Sequence, residues 1–171
     1  MELFTERGFE DTTVADIAER AGLTKRTFFR YFSDKREVLF SGTKVLEETF
    51  VKGVLDAPAK ATPLDAVAAG LDASAAVFEE IPDRAGKRQA LLRANSELRE
   101  RELVKLARLA AAVAAALRER GVAEPAAGLA AEAGMAVLRV AFERWAADPH
   151  GQDLRALLED SLSALRAVAR R

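Results

Sequence analysis

The stretch that decides the fold reads TVADIAERAGLTKRTFFRYF and runs from Thr13 to Phe32. It predicts two helices, about 14–21 and 25–32, separated by Gly22 and each preceded by a threonine at the N-cap position. Asp16 follows the first of these threonines by three residues, which is the spacing of a capping box. A helix, a tight turn and a second helix at this spacing are typical of a helix-turn-helix, whose second helix enters the major groove of DNA.

Positive charge is concentrated in and around the second of these helices. Positions 20–36 hold six basic residues and one acidic residue, whereas the whole chain carries a formal net charge of −1. At 100° per residue, the basic residues of the second helix fall on one side and its phenylalanines on the other. We expect the aromatic side, formed by Phe28, Phe29 and Phe32, to pack on Ile17, Ala18 and Leu23.

The opposite side of the helix predicts contacts with DNA. An arginine binds guanine O6 and N7 through two parallel hydrogen bonds, and a threonine reaches base edges or a thymine methyl group. Helix N-termini, hydroxyls and ammonium groups suit phosphates. The candidate DNA-binding residues are Thr13, Thr24, Lys25, Arg26, Thr27, Arg30, Tyr31 and Lys35. For each residue alone, the alternative is a solvated helix face or a simple cap.

The rest of the sequence also favours helix. Alanine occurs 36 times, and little of the chain alternates with period two. Glycine, proline and cap residues divide the chain into about nine helical segments, so we expect an all-α fold. The first segment is Met1–Arg7, and those after the helix-turn-helix are about 34–55, 63–81, 83–94, 96–120, 125–148 and 153–170. The small-residue and proline-rich loop Asp56–Pro63 is predicted to be a module boundary or hinge.

Composition excludes several classes of protein. The chain has no cysteine, which excludes disulfides, thiol nucleophiles and cysteine-based metal sites. Its one histidine, His150, lies between Pro149 and Gly151 and is expected in an exposed loop. The longest apolar run, Leu109–Leu117, is too short for a membrane span, and no signal peptide is visible. We expect a soluble, cytoplasmic protein with no cofactor, metal, membrane partner or catalytic site.

The N-terminal residues resemble a known family. The segment 4–25, FTERGFEDTTVADIAERAGLTK, with Phe32-Ser33-Asp34-Lys35, resembles the N-terminal domain of TetR-type transcriptional repressors. The resemblance implies a helix-turn-helix DNA-binding domain over residues 1–40 and a helical ligand-binding and dimerisation domain over residues 41–171. It also implies a homodimer that binds a near-palindromic double-stranded DNA operator and is released by a small-molecule effector.

Two differences from the family stand out. Family members usually begin well before the position of Met1, so we expect the first helix to be shortened. Phe29 occupies a position where the family often has tyrosine, which removes one expected bond from a hydroxyl to a phosphate.

The last two predicted helices are the candidate dimer face, as the resemblance also implies. The ninth has a continuous leucine stripe, and the eighth is rich in small residues that permit close approach. The candidate dimer residues are Ala130, Gly134, Leu154, Leu158, Leu162 and Leu165. The alternative is that these residues pack on helices five to seven of the same chain, since dimer interfaces and cores use the same residue types.

A ligand pocket is harder to place. The candidate lining residues are Phe50, Phe78, Phe142 and Trp145, because pockets are mostly apolar and aromatic, although each alone suits ordinary core. Positions 84–108 hold eight basic and three acidic residues, which suits either an anionic ligand or a solvated face with pairs such as Glu97–Arg101. The stretch 96–103 is similar to the C-terminal domain of a TetR subgroup whose effectors include acyl-CoA thioesters.

Together these observations predict a ligand-responsive DNA-binding repressor. The alternative is a helical small-molecule or protein-interaction module that has lost operator binding. An all-α enzyme has no support, because the sequence lacks a paired histidine and carboxylate motif and a glycine-rich phosphate loop.

Overall fold

The computed structural model describes residues 1–79, 82–148 and 151–169. Within these ranges the chain is all-helical, as predicted, with nine α-helices, one 3-10 helix and no strand. The α-helices are α1 (Glu2–Arg7), α2 (Val14–Arg20), α3 (Lys25–Tyr31), α4 (Thr43–Asp56), α5 (Pro63–Glu79), α6 (Pro82–Ala94), α7 (Ser96–Glu119), α8 (Ala126–Ala147) and α9 (Leu154–Ala169). The 3-10 helix, Lys35–Phe40, is called the 3-10 segment below.

The predicted fourth helix is interrupted. The chain forms the 3-10 segment first, and α4 begins only at Thr43, after Gly42. The Asp34 carboxylate accepts a hydrogen bond from the backbone N–H of Arg36 at 2.8 Å, so the predicted cap exists but begins a 3-10 helix. Gly42 weakens the helix at the break. The 3-10 segment directs Leu39 and Phe40 into a core cluster that is separate from the main core.

Most of the apolar side chains form one core between α4, α5, α7, α8 and α9. The side of α5 that faces this core carries Val67, Leu71 and Ala75, which are almost wholly buried. Glycines let the helices approach closely: a Cβ on Gly70 of α5 would lie 2.2 Å from the ring of Phe50, and a Cβ on Gly134 of α8 would lie 2.5 Å from Val67. The positions of α4, α5 and α8 are therefore tightly fixed against each other.

A second, smaller core joins the N-terminal helices to α6 and α7. Phe4, Phe9, Leu39 and Phe40 pack with Leu91 and Leu92 of α6 and with Leu98, which is fully buried on α7. Residues 1–40 therefore share a core cluster with the helices that follow them.

The loop between α4 and α5, predicted as a boundary or hinge, is fastened to the end of α7. The Arg120 guanidinium donates to the carbonyl oxygens of Leu55, Ala57 and Pro58 at 2.9, 2.8 and 2.7 Å. At the other end of the loop, Thr62 accepts from the backbone N–H of Asp65 and caps α5. Both ends of the connection are therefore held by hydrogen bonds.

The buried apolar stripes of α7 and α9 are shorter than the sequence patterns of these helices suggest. On α7, Ala110, Val113 and Leu117 are buried, whereas Leu103, nearer the start of the helix, is 63% exposed. On α9, the leucines up to Leu162 are buried, whereas Val168 lies on the surface. Among the residues that the structure describes, no helix is both long enough and apolar enough to cross a membrane.

Candidate nucleic-acid interface and ligand cavity

Two threonines cap the helices of the helix-turn-helix, as predicted. The Thr13 hydroxyl accepts from the backbone N–H of Asp16 at 3.2 Å, and the Asp16 carboxylate accepts from the Thr13 N–H at 2.8 Å, which confirms the capping box. Hydrogen bonds from the Thr13 hydroxyl and backbone hold the pKa of Asp16 below its ordinary value. Thr24 accepts from the N–H of Thr27 at 3.1 Å at the start of α3.

The turn between α2 and α3 depends on Gly22. Its φ of +67° lies in the left-handed region, where a side chain is strained. The next N–H, of Leu23, donates to the carbonyl of Ala18 at 2.8 Å and closes the end of α2. The turn thereby fixes the direction in which α3 leaves α2.

Three basic side chains of α3 are exposed. Phe28 is only 3% exposed and anchors α3 to the rest of the domain, whereas Lys25, Arg26 and Arg30 lie on the surface and Thr27 is half-buried. Arg26 and Arg30 are one helical turn apart and lie on the side opposite Phe28. We call Lys25, Arg26, Thr27 and Arg30 the basic strip.

Tyr31 lies at the end of the basic strip and contacts Arg30. Its hydroxyl accepts from Nη2 of Arg30 at 3.0 Å, and the guanidinium carbon lies 4.9 Å from the centre of the tyrosine ring. The contact orders an exposed guanidinium before any partner is bound.

The aromatic side of α3 is only partly buried, contrary to expectation. Phe28 packs on Phe32 with ring centres 5.2 Å apart, but Phe29 is 55% exposed and touches Phe28 edge-on at 5.5 Å. Phe29 lies 100° around the helix from Phe28, which turns it away from α2. Leu23 is also exposed, at the turn itself.

The structure places Lys35 away from the basic strip. Its ammonium donates to the carbonyl oxygens of Phe9 and Glu10 at 2.7 and 3.0 Å and lies 4.5 Å from the centre of the Phe9 ring. The side chain therefore connects the 3-10 segment to the loop after α1, and the contact of Lys35 with phosphate stays a prediction. The local sequence gives no sign of this contact, because 26 positions separate the Lys35 ammonium from the carbonyl of Phe9.

The basic residues of α7 make their ion pairs with other elements rather than within the helix. The expected pair of Glu97 and Arg101 does not form: Glu97 pairs with Arg36 at 3.2 Å and Arg101 with Glu37 at 2.5 Å. Burial raises the pKa of Glu37, but hydrogen bonds from Lys105 and Arg101 outweigh this effect and lower the pKa overall.

A cavity of about 200 Å³ lies between the N-terminal helices and the C-terminal bundle. Three of the four predicted aromatic residues are together in its wall: Phe78 and Phe142 have ring centres 4.9 Å apart, and Phe142 and Trp145 5.7 Å apart. Phe50 is elsewhere, wholly buried against Gly70 between α4 and α5. The neighbouring residues that suggested Phe50 as a lining residue do not show that it packs against Gly70, which is distant in the sequence.

Charged groups and the 3-10 segment complete the cavity wall. Arg84 and Arg88 of α6 and Arg139 of α8 contribute cations, while Leu39 and Phe40 contribute apolar surface. Arg88 also pairs with Glu102 at 2.8 Å. Sequence reasoning named none of these five as cavity residues, although the basic run over 84–108 was a signal for Arg84 and Arg88.

The six candidate dimer residues are turned towards the interior of the single chain. Leu154, Leu158 and Leu162 of α9 are buried, Leu165 is partly buried, and Ala130 and Gly134 of α8 lie in the same core. This is the packing that the sequence left open as the alternative. The opposite side of α8 exposes Leu129, which is 67% exposed, and Val140.

No group of three or more histidine, cysteine, aspartate or glutamate side chains with metal-binding geometry occurs in the part of the chain that the structure covers. The predicted loop position of His150 lies outside the described residues.

Two family models match the chain. The model for bacterial regulatory proteins of the tetR family matches residues 1–41, and the model for the MftR C-terminal domain matches residues 61–170, which is more than half of the chain. The chain belongs to the TetR family of transcriptional regulators. Members of the TetR family are regulators and not enzymes, and the first match covers the helix-turn-helix described above.

Individual proteins agree with this assignment to the TetR family. The chain is 40% identical to the HTH-type transcriptional regulator TcmR of Streptomyces glaucescens over 67 residues, which are 39% of this chain and 30% of TcmR. It thus matches less than a third of the length of that relative.

Solved structures of TetR regulators match nearly the whole chain. The TetR family regulator PfmR of Thermus thermophilus is 25% identical with a TM-score of 0.53, covering 96% of this chain and 92% of PfmR. The TetR family repressor FadR of Thermus thermophilus, solved with lauroyl-CoA, is 26% identical with a TM-score of 0.59, covering 96% of this chain and 88% of FadR.

Proposed function

We propose that this TetR-family regulator is a repressor that binds a palindromic DNA operator as a homodimer and is released by a small-molecule effector. Residues 1–40 are the proposed DNA-reading module, and residues 41–171 the ligand-binding and dimerisation part. The proposed place of action is the cytoplasm. The observation that carries the proposal is the exposed basic strip on α3, held outward by the buried ring of Phe28.

The basic strip suits the floor of a major groove. Arg26 and Arg30 are both exposed, lie on one side of α3, and present guanidinium groups that bind guanine bidentately. Thr27 lies beside them and suits a base edge or a thymine methyl group. Thr13, Thr24, Lys25 and Tyr31 are the proposed phosphate contacts, since they lie at helix N-termini or at the end of the strip.

A homodimer suits the proposed operator because two copies of α3 must enter successive major grooves, about 34 Å apart. We place the dimer face on α8 and α9. The predicted leucines of α9 fill the chain's own core, so the contact would use the outer sides of the same helices. Leu129, Ala133, Ala136 and Val140 follow one another on that side of α8 at steps of four, three and four residues, and none of them is buried.

The cavity suits an effector with an apolar part and an anionic part. Phe78, Phe142 and Trp145 provide the apolar wall, and the guanidinium groups of Arg84 and Arg139 suit an anion. Thermus thermophilus FadR was solved with a molecule of this type, lauroyl-CoA. We propose an amphipathic anion, such as an acyl thioester, as the effector class.

The test begins with DNA fragments selected from a random pool by the purified protein, followed by gel-shift titration of the selected sequence. Arg26→Ala and Arg30→Ala should each weaken binding by about 1–3 kcal/mol and relax the base preference. Arg99→Ala is the matched control, because it removes an exposed arginine from α7 and should leave binding unchanged.

Salt and an added probe distinguish the proposal from its alternative. Affinity should fall steeply with salt, because several phosphates are contacted, and lauroyl-CoA should release the DNA. Arginine variants that bind as tightly as the parent, or binding that is insensitive to salt, would contradict operator reading and favour a module that binds only small molecules or proteins.

A further inference from the structure

The 3-10 segment is held to α7 by a carboxylate between two cations. Glu37 accepts from Nε of Arg101 at 2.5 Å and from Nζ of Lys105 at 2.9 Å. Arg101 and Lys105 are one turn apart on α7, so the carboxylate spans a full turn of that helix. The partners are separated by more than 60 positions in the sequence, which makes this a contact between elements.

A second carboxylate extends the same set of ion pairs. Asp34 lies 3.6 Å from Arg101 and 2.9 Å from Arg36, and Arg36 in turn lies 3.2 Å from Glu97. The charges alternate in sign from α7 to the 3-10 segment and back. Networks of this kind hold a geometry better than isolated surface pairs.

The centre of the network is partly buried. The side chains of Glu37, Lys105 and Arg101 are 20%, 21% and 30% exposed, so salt and solvent screen them less than a surface pair. Hydrogen bonds from Lys105 and Arg101 outweigh burial and lower the pKa of Glu37, so the paired carboxylate stays ionised to a lower pH than an ordinary glutamate.

The network lies between the DNA-reading helix and the cavity. The 3-10 segment begins four residues after α3 ends at Tyr31, and its last residues, Leu39 and Phe40, line the cavity. The ammonium of Lys105 lies 5.7 Å from the centre of the Phe40 ring, so one α7 side chain contacts both parts of the segment. A change in the angle between this segment and α7 would carry α3 with it.

We propose that Glu37 is a positioning residue for operator reading, which fixes the angle between α3 and α7 through Arg101 and Lys105 without touching DNA. The inference rests on the proposed operator binding by a dimer. In a twofold dimer this angle sets the separation of the two α3 helices, and a fixed separation selects one spacing of half-sites.

The first test compares half-site spacings. Glu37→Gln keeps the shape of the side chain and removes its charge. It should leave the affinity for a single half-site and the base preference unchanged. The preference for the selected spacing over operators one base pair longer or shorter should fall by about fivefold, the factor expected when the two ion pairs of Glu37, with Arg101 and Lys105, are lost.

Rescue and a matched control separate positioning from general destabilisation. Glu37→Lys alone should lose the spacing preference, and Glu37→Lys with Lys105→Glu should recover it, because the pair is re-formed with reversed charge. Glu124→Gln removes another ion pair, that of Glu124 with Arg118 near the far end of α7, and should change nothing. Lys105→Met is a second variant that tests the same contact from the other side.

The second test needs no DNA. The chain lacks cysteine, so spin labels can be placed at Glu19→Cys on α2 and Ala111→Cys on α7, both of which are exposed. With labelled protein diluted into unlabelled protein, the distribution of distances between the labels should be narrow in the parent and broader in Glu37→Gln.

The outcomes separate this inference from the proposed function. An unchanged distance distribution together with an unchanged spacing preference would overturn the role of Glu37 while leaving operator binding intact. A parent protein that binds no DNA would overturn the proposed function and with it any role of Glu37 in operator reading, whereas a broadened distance distribution in Glu37→Gln would still show that Glu37 fixes the position of the N-terminal helices against α7.

Discussion

Replacing Gly70 with alanine is expected to destabilise the fold, because α5 passes α4 too closely for a methyl group. A Cβ at this position would lie 2.2 Å from Cδ2 and 2.4 Å from Cε2 of Phe50, and 2.9 Å from the carbonyl oxygen of the same residue. Ordinary contact begins at 3.4 Å. The ring would therefore have to move by ~1 Å, or the two helices would have to separate.

The ring of Phe50 has no free space into which to move. It is wholly buried, and Gly134 of α8 lies near the tip of the ring, where a Cβ would come within 3.8 Å of Cζ of Phe50. Overpacking of this kind costs about 1–3 kcal/mol, and the better helix propensity of alanine returns about 0.5–1 kcal/mol. The midpoints of these two ranges give an expected loss in the free energy of unfolding of about 1 kcal/mol.

Urea unfolding followed by circular dichroism measures this loss, at one protein concentration for all variants because the proposed dimerisation would contribute to stability. Gly42→Ala is the control: no atom lies within 4 Å of its Cβ position, so its stability should change little. Phe50→Leu in the Gly70→Ala background should recover part of the loss. If Gly70→Ala unfolds at the same urea concentration as the parent, the steric argument is refuted.

Three further predictions concern the ends of α7, its ion pairs and the cavity. Arg120→Ala removes three hydrogen bonds to the α4–α5 loop and should lower the free energy of unfolding by about 1–3 kcal/mol, whereas Arg118→Ala on the exposed surface should change it by less than about 1 kcal/mol in urea unfolding. The pKa of Glu37 is lowered by folding, so its contribution to stability is present above its ordinary pKa of 4.5 and is lost as the pH falls through the folded value. Unfolding measured along an acid series should show a smaller loss in Glu37→Gln than in the parent, and equal losses would contradict the ion pairing. Trp145, the single tryptophan, is 2% exposed in the cavity wall, so its fluorescence should change on titration with lauroyl-CoA, and Arg84→Ala should weaken that binding by about tenfold. A fluorescence that stays constant, or an Arg84 variant with unchanged affinity, would count against the cavity as the ligand site.

Local signals in the sequence were sufficient for the helix-turn-helix. Thr13, Thr24 and Gly22 each act on the residues next to them, through a cap hydrogen bond or a left-handed φ, so their effect is visible within four positions of the chain. The outward position of Arg26 and Arg30 followed from helical periodicity in the same way.

Contacts between distant elements were not visible in the sequence. The charge of Lys35 near α3 predicts a contact with phosphate, and nothing in the local sequence indicates that its ammonium also donates to carbonyl groups in the loop after α1. Arg101 was expected to pair within α7, and Glu37 from the 3-10 segment takes the place of Glu97. The sequence offers each charged residue several residues of opposite charge with which it could pair, and only the packing of the helices decides which pair forms.

The apolar stripes predicted which side of each helix is buried, but not which helix packs against that side. The leucines of α9 form the predicted stripe, and they bury themselves within the single chain, since a core and a subunit interface present the same pattern. The break at Gly42 was missed because a periodic apolar pattern continues across it from the 3-10 segment into α4.

The shared wall of the cavity has a thermodynamic consequence. Leu39 and Phe40 belong both to that wall and to the segment that follows the proposed DNA-reading helix, so in the proposed function an occupant and an operator would compete for the conformation of one short piece of backbone. Linkage is reciprocal: the factor by which a bound occupant lowers the affinity for the operator equals the factor by which a bound operator lowers the affinity for the occupant. Chromosome-bound molecules would then respond at a higher effector concentration than free ones, which sets a threshold for induction.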